Sequence, residues 1–204
     1  MKKKKEKIKD RFETESWCYR VIGDPYQVLA EVFSHAEMPH FRKVISKLVH
    51  AAEAEEIYTK KSPCDVLLYM KIIRSLMEAA HVLKEKKTGP IEVSPGDISN
   101  KNYYCSNYQI ATEWKDLPRF LSTKEFCNPY KAFRKFFRYK KLTEWLHDWE
   151  ELVEAALSNN CGGLGLEMTK VHSCLVKLVE AGHLINVREV NHIDGRLKNR
   201  FLGS

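Results

Sequence analysis

Residues 24–35, DPYQVLAEVFSH, and residues 128–139, NPYKAFRKFFRY, open with the same pattern of a capping residue, a proline and a tyrosine. Both stretches also carry a phenylalanine seven residues after the tyrosine. Asp and Asn are good N-caps, and proline is tolerated at the first helical position because its missing N–H would have no partner there. The shared start therefore predicts two helices related by a shift of 104 positions.

The correspondence continues beyond these two stretches. With the same shift, the apolar and small residues at 41, 45, 48–49 and 51–52 fall on apolar and small residues at 145, 149, 152–153 and 155–156. With a shift of 102, residues 76–83, LMEAAHVL, fall on residues 178–185, LVEAGHLI. All amphipathic helices share apolar spacing, but that spacing does not require a common capped start or a common Glu-Ala-x-His. We therefore predict an internal duplication.

Cap signals and apolar periodicity predict an all-α helical bundle built from two related three-helix halves. The helices are expected at 25–36, 39–59, 63–86, 129–139, 142–158 and 166–181. The predicted organisation is a basic N-terminal tail (1–16), a first repeat (17–87), a connecting segment packed on the bundle (88–122), a second repeat (123–190) and a basic C-terminal tail (191–204). The two halves are expected to share one core.

Composition limits the class of protein. The 204 residues are 44% hydrophobic, which indicates a folded chain, and no apolar run is long enough to cross a bilayer. The six cysteines form no Cys-x-x-Cys pair, and no export signal is seen, so we expect reduced thiols, a cytoplasmic location and no cofactor. The net charge of +7 lies in residues 2–9 and 194–200, and the rest of the chain is formally neutral.

The helix after Pro129 differs in charge from its counterpart in the first half. Its predicted binding residues are all basic and are expected on one face: Lys131, Arg134, Lys135, Arg138 and Lys141. The matched positions hold Gln27, Ala30, Glu31, Ser34 and Glu37, none of them basic. A basic helical face suits phosphates or an acidic protein surface, although it can also be a solvated face without a partner.

The repeated Glu-x-x-His raises the alternative of a metal–carboxylate protein. Glu78 with His81, and Glu180 with His183, could each present two ligands, because residues three apart share a helix face. The second helices could add Glu53 and Glu154. However, the apolar stripe of the third helix predicts that Glu78 and His81 face solvent, and Gly182 suggests a helix end beside His183. No metal is therefore expected.

Arg74 and His81 provide the only catalytic candidates. Their Arg-x6-His spacing is similar to that of a class of helical ribonucleases, which carry both residues on one helix and act as dimers. In such an enzyme the Arg could hold a phosphate while the His acts as general base. The matched position in the second half is Val176, so the pair is not duplicated.

Residues 184–201 contain a second signal for nucleic acid. Residues 184–190 read as extended, Asp194-Gly195 as a turn, and residues 196–201 as a basic strand. A helix followed by such a hairpin is the order of a winged helix-turn-helix. The first half has no counterpart of this hairpin, which argues against the wing.

Taken together, the sequence favours a non-enzymatic binding protein over an enzyme. The basic helix and the basic tails would contact nucleic acid or an acidic partner. The alternatives are the metal–carboxylate protein or ribonuclease described above, and a structural or homo-oligomerisation module. No membrane partner is expected.

Overall fold

A computed structural model of the protein describes residues 23–54, 57–59, 62–105, 114–158, 164–190, 192–193 and 196–197. Over these ranges the chain belongs to the all-α class, as predicted, and two-residue strands occur only near the C-terminus. Its helices are α1 (Pro25–His35), α2 (Met38–Glu53), α3 (Pro63–Leu83), α4 (Thr123–Cys127), α5 (Tyr130–Tyr139), α6 (Leu142–Leu157) and α7 (Met168–Ile185). Two short 3-10 helices, Pro95–Ser99 and Lys101–Tyr103, lie between α3 and α4, and a π-helical turn, Asn186–Val190, follows α7.

A capping residue precedes a proline at three predicted helix starts, Asp24-Pro25, Ser62-Pro63 and Asn128-Pro129, and a side-chain cap forms at the first two. The side chain of Asp24 accepts a hydrogen bond from Tyr26 N at 2.9 Å, and that of Ser62 accepts one from Cys64 N at 3.2 Å. Asn128 behaves differently, because its Nδ2 donates to the carbonyl of Lys87 at 2.8 Å. The matched start of α5 therefore ties the second half of the chain to the end of the first.

Both halves contribute to one hydrophobic core. Phe41 and Ile45 of α2 and the aligned Trp145 and Trp149 of α6 are all buried in it. Trp145 stacks on Phe136 with ring centroids 4.1 Å apart. The indole of Trp149 donates to the carbonyl of Met70 in α3 at 3.0 Å, which links the halves directly.

The helix contacts follow the alignment of the halves, in which α1, α2 and α3 match α5, α6 and α7. Helix α2 packs on α7 and α6 packs on α3, while α1 packs on α3 and α5 packs on α7. Helices α2 and α6 also pack on each other. Tyr26 and Tyr130, which are 104 positions apart, place their hydroxyl oxygens 3.1 Å from each other. An internal two-fold relation would give this pattern, so the packing agrees with the predicted duplication, which stays a prediction.

Helix α7 continues through Gly182 and ends four residues later than predicted. A Cβ at Gly182 would lie 3.0 Å from Leu76 Cδ1 and 3.5 Å from Leu29 Cδ2, so the absent side chain permits close packing on α1 and α3. The prediction that Gly182 ends the helix is therefore wrong. The extended stretch predicted at 184–190 is also wrong, because these residues complete α7 and form the π-helical turn.

Because residues 184–190 are helical, the first strand of the predicted wing hairpin is not formed by these residues. Further along, two-residue strands β1 (His192–Ile193) and β2 (Arg196–Leu197) pair antiparallel, with His192 opposite Leu197. The Asp194-Gly195 turn lies outside the described residues, so the hairpin stays a prediction. The tails at 1–16 and 198–204 also lie outside the described residues.

None of the helices in the described part of the chain has the length and apolar character needed to span a bilayer.

Candidate nucleic-acid interface

Helix α5 has one apolar face and one basic face. Tyr130, Phe133 and Phe136 are buried on the apolar face. Lys131, Lys135 and Arg138 are exposed. The ten residues of α5 include four cations and no acid, so no carboxylate of the same helix neutralises the basic face. Such a surface attracts anions over a range set by ionic strength.

Two of the five predicted binding residues differ from the prediction in their position. Arg134 is half-buried, and its Nη1 donates to the carbonyls of Lys86 at 2.8 Å and Lys84 at 3.4 Å. It thus binds carbonyls at the C-terminal end of α3, where cations are favoured. Lys141 is exposed but lies beyond the end of α5, in the turn before α6, rather than on the helix face. The freely exposed basic face of α5 is therefore smaller than predicted.

A groove with a volume of about 190 Å³ lies between α5 and α7 and adds cations that the sequence argument missed. Lys135 comes from α5, whereas Lys170 and Lys177 come from α7. The other lining residues are Glu125, Ala132, Phe136, Tyr139, Ser173 and Cys174. We call this feature the α5–α7 groove. Its three lysines and single carboxylate give it a net positive charge.

Glu125 is the buried carboxylate of the groove. It accepts hydrogen bonds from Ser122 N and Oγ, both at 2.8 Å, as part of the cap of α4. Its oxygens also lie 2.8 Å from Lys135 Nζ and 3.4 Å from Lys177 Nζ. Burial alone would raise the pKa of Glu125, but the hydrogen bonds from Lys135 and Ser122 and the charge of Lys177 lower it to about 2. Glu125 is consequently ionised at neutral pH and positions two of the groove lysines.

Tyr139 is the exposed aromatic residue of the groove, with 41% of its surface accessible. The ammonium of Lys170 lies 5.4 Å from the centre of its ring, and that of Lys140 lies 5.9 Å away. Lys140 also forms an ion pair with Asp148 of α6. An accessible ring beside two ammonium groups offers an aromatic surface and positive charge, which are the two features used to bind single-stranded nucleic acids.

The structure places Arg74 and His81 on α3 but gives each a structural partner. Arg74 forms ion pairs with Glu150 of α6 and, at 3.6 Å, with Glu78. The ring of His81 packs edge-on against Phe137, with centroids 5.0 Å apart, and its Nε2 lies 2.9 Å from Lys84 Nζ. Burial and the neighbouring Lys84 lower the pKa of His81, despite the opposing effect of Glu85. The contacts with Glu150 and Phe137 belong to the packing of α3 on the second half, and those with Glu78 and Lys84 are local contacts within the first half.

Glu180 is completely buried, whereas Glu78, which aligns with it at a shift of 102, is half-buried. One oxygen of Glu180 accepts from Arg42 Nη1 at 3.0 Å and from Arg119 N at 2.8 Å. The other accepts from Phe120 N at 2.9 Å and Leu121 N at 3.3 Å. The carboxylate therefore holds the chain before α4 against α2 and α7.

His183 performs a similar role one helical turn later. It is buried, and its Nε2 lies 2.7 Å from the carbonyl of Tyr104, to which it donates. Burial lowers the pKa of His183, and Arg42 and Arg188 add to this effect, while Asp116 and the Tyr104 carbonyl oppose it. The ring is therefore neutral at physiological pH, with the proton on Nε2.

These contacts leave the metal hypothesis without geometric support. Among the described residues, no three His, Cys, Asp or Glu side chains come together in a way that could hold a metal ion. Glu53 and Glu154, the additional ligands considered for the site, are both exposed, whereas Glu180 and His183 are buried and engaged with the connecting segment.

Arg42 and Arg188 are two important residues that sequence reasoning did not identify. Arg188 is 3% exposed, and it donates from Nε to the Tyr103 carbonyl at 2.9 Å and from Nη1 to the Phe126 carbonyl at 2.6 Å. Burial lowers its pKa to about 10, so it remains charged at neutral pH. Arg42 donates from Nη1 to the carbonyl of Leu117 at 3.1 Å in addition to its bond with Glu180. Both arginines hold the connecting segment against the bundle through hydrogen bonds to its backbone carbonyls.

The comparisons with protein families, curated proteins and solved structures found no match to this chain.

Proposed function

We propose that this chain is a non-enzymatic protein that binds nucleic acid through the basic face of α5 and the adjoining α5–α7 groove. The observation that carries the proposal is the uneven distribution of cations between the matched halves. Lys135, Lys170 and Lys177 replace Glu31, Leu68 and Ser75 of the first half. At position 135 core packing does not require the change from Glu31, because the side chain of Lys135 is 60% exposed.

Nucleic acid is favoured over an acidic protein surface because Tyr139 is exposed among the lysines. A base can stack on this ring while its phosphates contact the ammonium groups. An acidic protein would use the charges but would gain less from the ring. The basic tails at 1–16 and 191–204 would add to the affinity without conferring specificity.

The proposal includes a cytoplasmic location. The four cysteines in the described part of the chain, Cys64, Cys105, Cys127 and Cys174, are all free thiols. Free thiols suit a reducing compartment, and a nucleic-acid partner is available there.

The direct test is binding of a fluorescein-labelled 20-nucleotide oligouridine, measured by anisotropy between 50 and 300 mM salt. We expect the affinity to fall steeply with salt, because cations that contact phosphates release counterions. The double variant Lys131→Glu/Arg138→Glu changes only exposed side chains, so it should fold normally. Loss of two phosphate contacts should lower the slope of log Kd against log salt by about 1.4.

The matched control is Lys43→Glu/Lys71→Glu, which makes the same change in net charge on exposed positions of α2 and α3. It should leave the salt slope close to that of the unmodified protein. Equal losses in the two double variants would show that only net charge matters. That result, or salt-independent binding, would contradict the proposed interface.

A further inference from the structure

We infer that the α5–α7 groove holds one backbone phosphate of a single strand and that Tyr139 stacks against an adjacent unpaired base. This inference rests on the proposed function and specifies its ligand as single-stranded rather than duplex nucleic acid. Three independent features of the groove support it: its size, the arrangement of its cations and the position of its aromatic ring.

The groove is too small for a whole nucleotide. Its volume of about 190 Å³ is below the roughly 300 Å³ at which sites for drug-sized ligands begin. A phosphate group fits this space, and the attached sugars and bases would extend along the open sides. A rigid duplex would have to present a phosphate into the groove without placing any base on Tyr139, because its bases are already stacked.

The cations come from two helices and point into the same space. Lys170 and Lys177 are seven residues apart on α7, so they share a face across two helical turns, and Lys135 faces them from α5. Glu125 uses one donor of Lys135 and one of Lys177. Because an ammonium has three N–H donors, both lysines retain donors for a phosphate, and Glu125 keeps them in position.

The aromatic ring stands at the wall of the same groove. Tyr139 is 41% exposed, and the Lys170 ammonium lies over the ring, 5.4 Å from its centre, so a base that stacks on this face displaces Lys170 toward the phosphate. Stacking on aromatic side chains requires an unpaired base. In the first half, the residue matched to Tyr139 is His35, and the residue matched to Lys170 is Leu68. At these two aligned positions, a lysine beside an exposed aromatic ring therefore occurs in the second half and not in the first.

The test compares a 12-nucleotide oligouridine with a 12-base-pair duplex at 100 mM salt. Tyr139→Ala should weaken binding of the single strand about 5- to 150-fold, which is the effect expected for losing one stacked base. Binding of the duplex should change less than twofold. Tyr139→Phe retains the ring and should bind the single strand like the unmodified protein. Lys170→Gln should lower the salt slope for the single strand by about 0.7.

Trp114→Ala is the matched control, because Trp114 is 59% exposed and does not line the groove. It should leave both affinities unchanged. Equal effects of Trp114→Ala and Tyr139→Ala, or equal effects of Tyr139→Ala on the two ligands, would overturn the inference. Poly-aspartate that displaces the labelled single strand as effectively as unlabelled oligouridine would also overturn the inference, because it would identify an acidic protein surface as the ligand.

The failure of this inference can be separated from the failure of the proposed function. If Lys131→Glu/Arg138→Glu weakens binding while Tyr139→Ala and Lys170→Gln do not, the basic face binds nucleic acid and the groove does not. If neither oligouridine nor the duplex binds to the unmodified protein, both proposals are wrong.

Discussion

Replacing Glu180 with Gln should destabilise the protein by about 3–5 kcal/mol. Glu180 is fully buried and accepts four hydrogen bonds, one from Arg42 and three from backbone N–H groups. Gln retains the shape of the side chain but provides one acceptor oxygen and places an NH₂ group against existing donors. It also leaves the Arg42 guanidinium without its carboxylate, and breaking a buried ion pair in this way costs about 3–5 kcal/mol.

Urea unfolding followed by circular dichroism would measure this loss of stability, with Glu78→Gln as the control at the aligned position of the first half. Glu78 is half-buried and lies 3.6 Å from Arg74, so its replacement should cost less than about 1 kcal/mol. The same Glu180→Gln variant should become sensitive to trypsin at Lys115 and Arg119. Arg119 N loses its acceptor, and Arg42, which donates to the Lys115 carbonyl, loses the carboxylate that positions it. Equal stability losses in the two variants, without new cleavage at these sites, would refute the reasoning.

Three further predictions concern the folded state. Burial lowers the pKa of His183 below its unfolded value near 6.5, so the protein should lose stability as pH falls below about 6.5. In urea unfolding at several pH values, His183→Gln should make stability less dependent on pH in this range. The pKa of Glu125 is lowered from 4.5 to about 2, so its ionised carboxylate should contribute up to about 3 kcal/mol to the free energy of unfolding above pH 4.5. This contribution should be lost as pH falls from 4.5 toward 2. Glu125→Gln should remove this pH dependence, and an acid unfolding profile unchanged by the substitution would contradict the prediction. Trp145→Ala should lower the free energy of unfolding by about 3–5 kcal/mol in the same assay, because the indole is fully buried and donates to the Phe136 carbonyl at 3.0 Å. A loss of stability below about 1 kcal/mol would contradict this prediction, since it would mean that neighbouring side chains fill the space left by the indole.

The sequence predicted the six main helices because their signals are local. Capping residues followed by proline mark the starts of α1 and α3, and apolar periodicity defines their buried faces. The ends were less accurate: α2 stops at Glu53 rather than 59, and α3 stops at Leu83 rather than 86. Helix α4 was missed because it has only five residues, too few to show a period.

The environment of Glu180 and His183 was not predicted because it depends on contacts distant in sequence. Periodicity predicts that the aligned residues Glu78 and His81 face solvent, but the backbone of residue 104 and of residues 119–121 covers Glu180 and His183 of α7. A usable signal was present, since residues 178–185 are apolar on all sides of these two polar side chains. A polar residue within such a run must find a buried partner, and here the connecting segment provides it.

The candidate interface was predicted in part. The alignment of the halves identified the basic residues of α5, because that comparison needs only local sequence. Lys170 and Lys177 were missed because their contribution depends on how α5 packs against α7, and neither lies near α5 in sequence. The structural role of Arg134 was missed for the same reason, since its acceptors belong to the end of α3.

Photo-crosslinking tests the central claim most directly. The unmodified protein would be saturated with a 12-nucleotide oligouridine containing 4-thiouridine, irradiated, digested and analysed by mass spectrometry. We predict adducts on the peptide that contains Tyr139, and their loss in Tyr139→Ala but not in Trp114→Ala. Adducts confined to α1–α3 or to the tails at 1–16 and 191–204, or no adduct at saturation, would contradict binding at the α5–α7 groove.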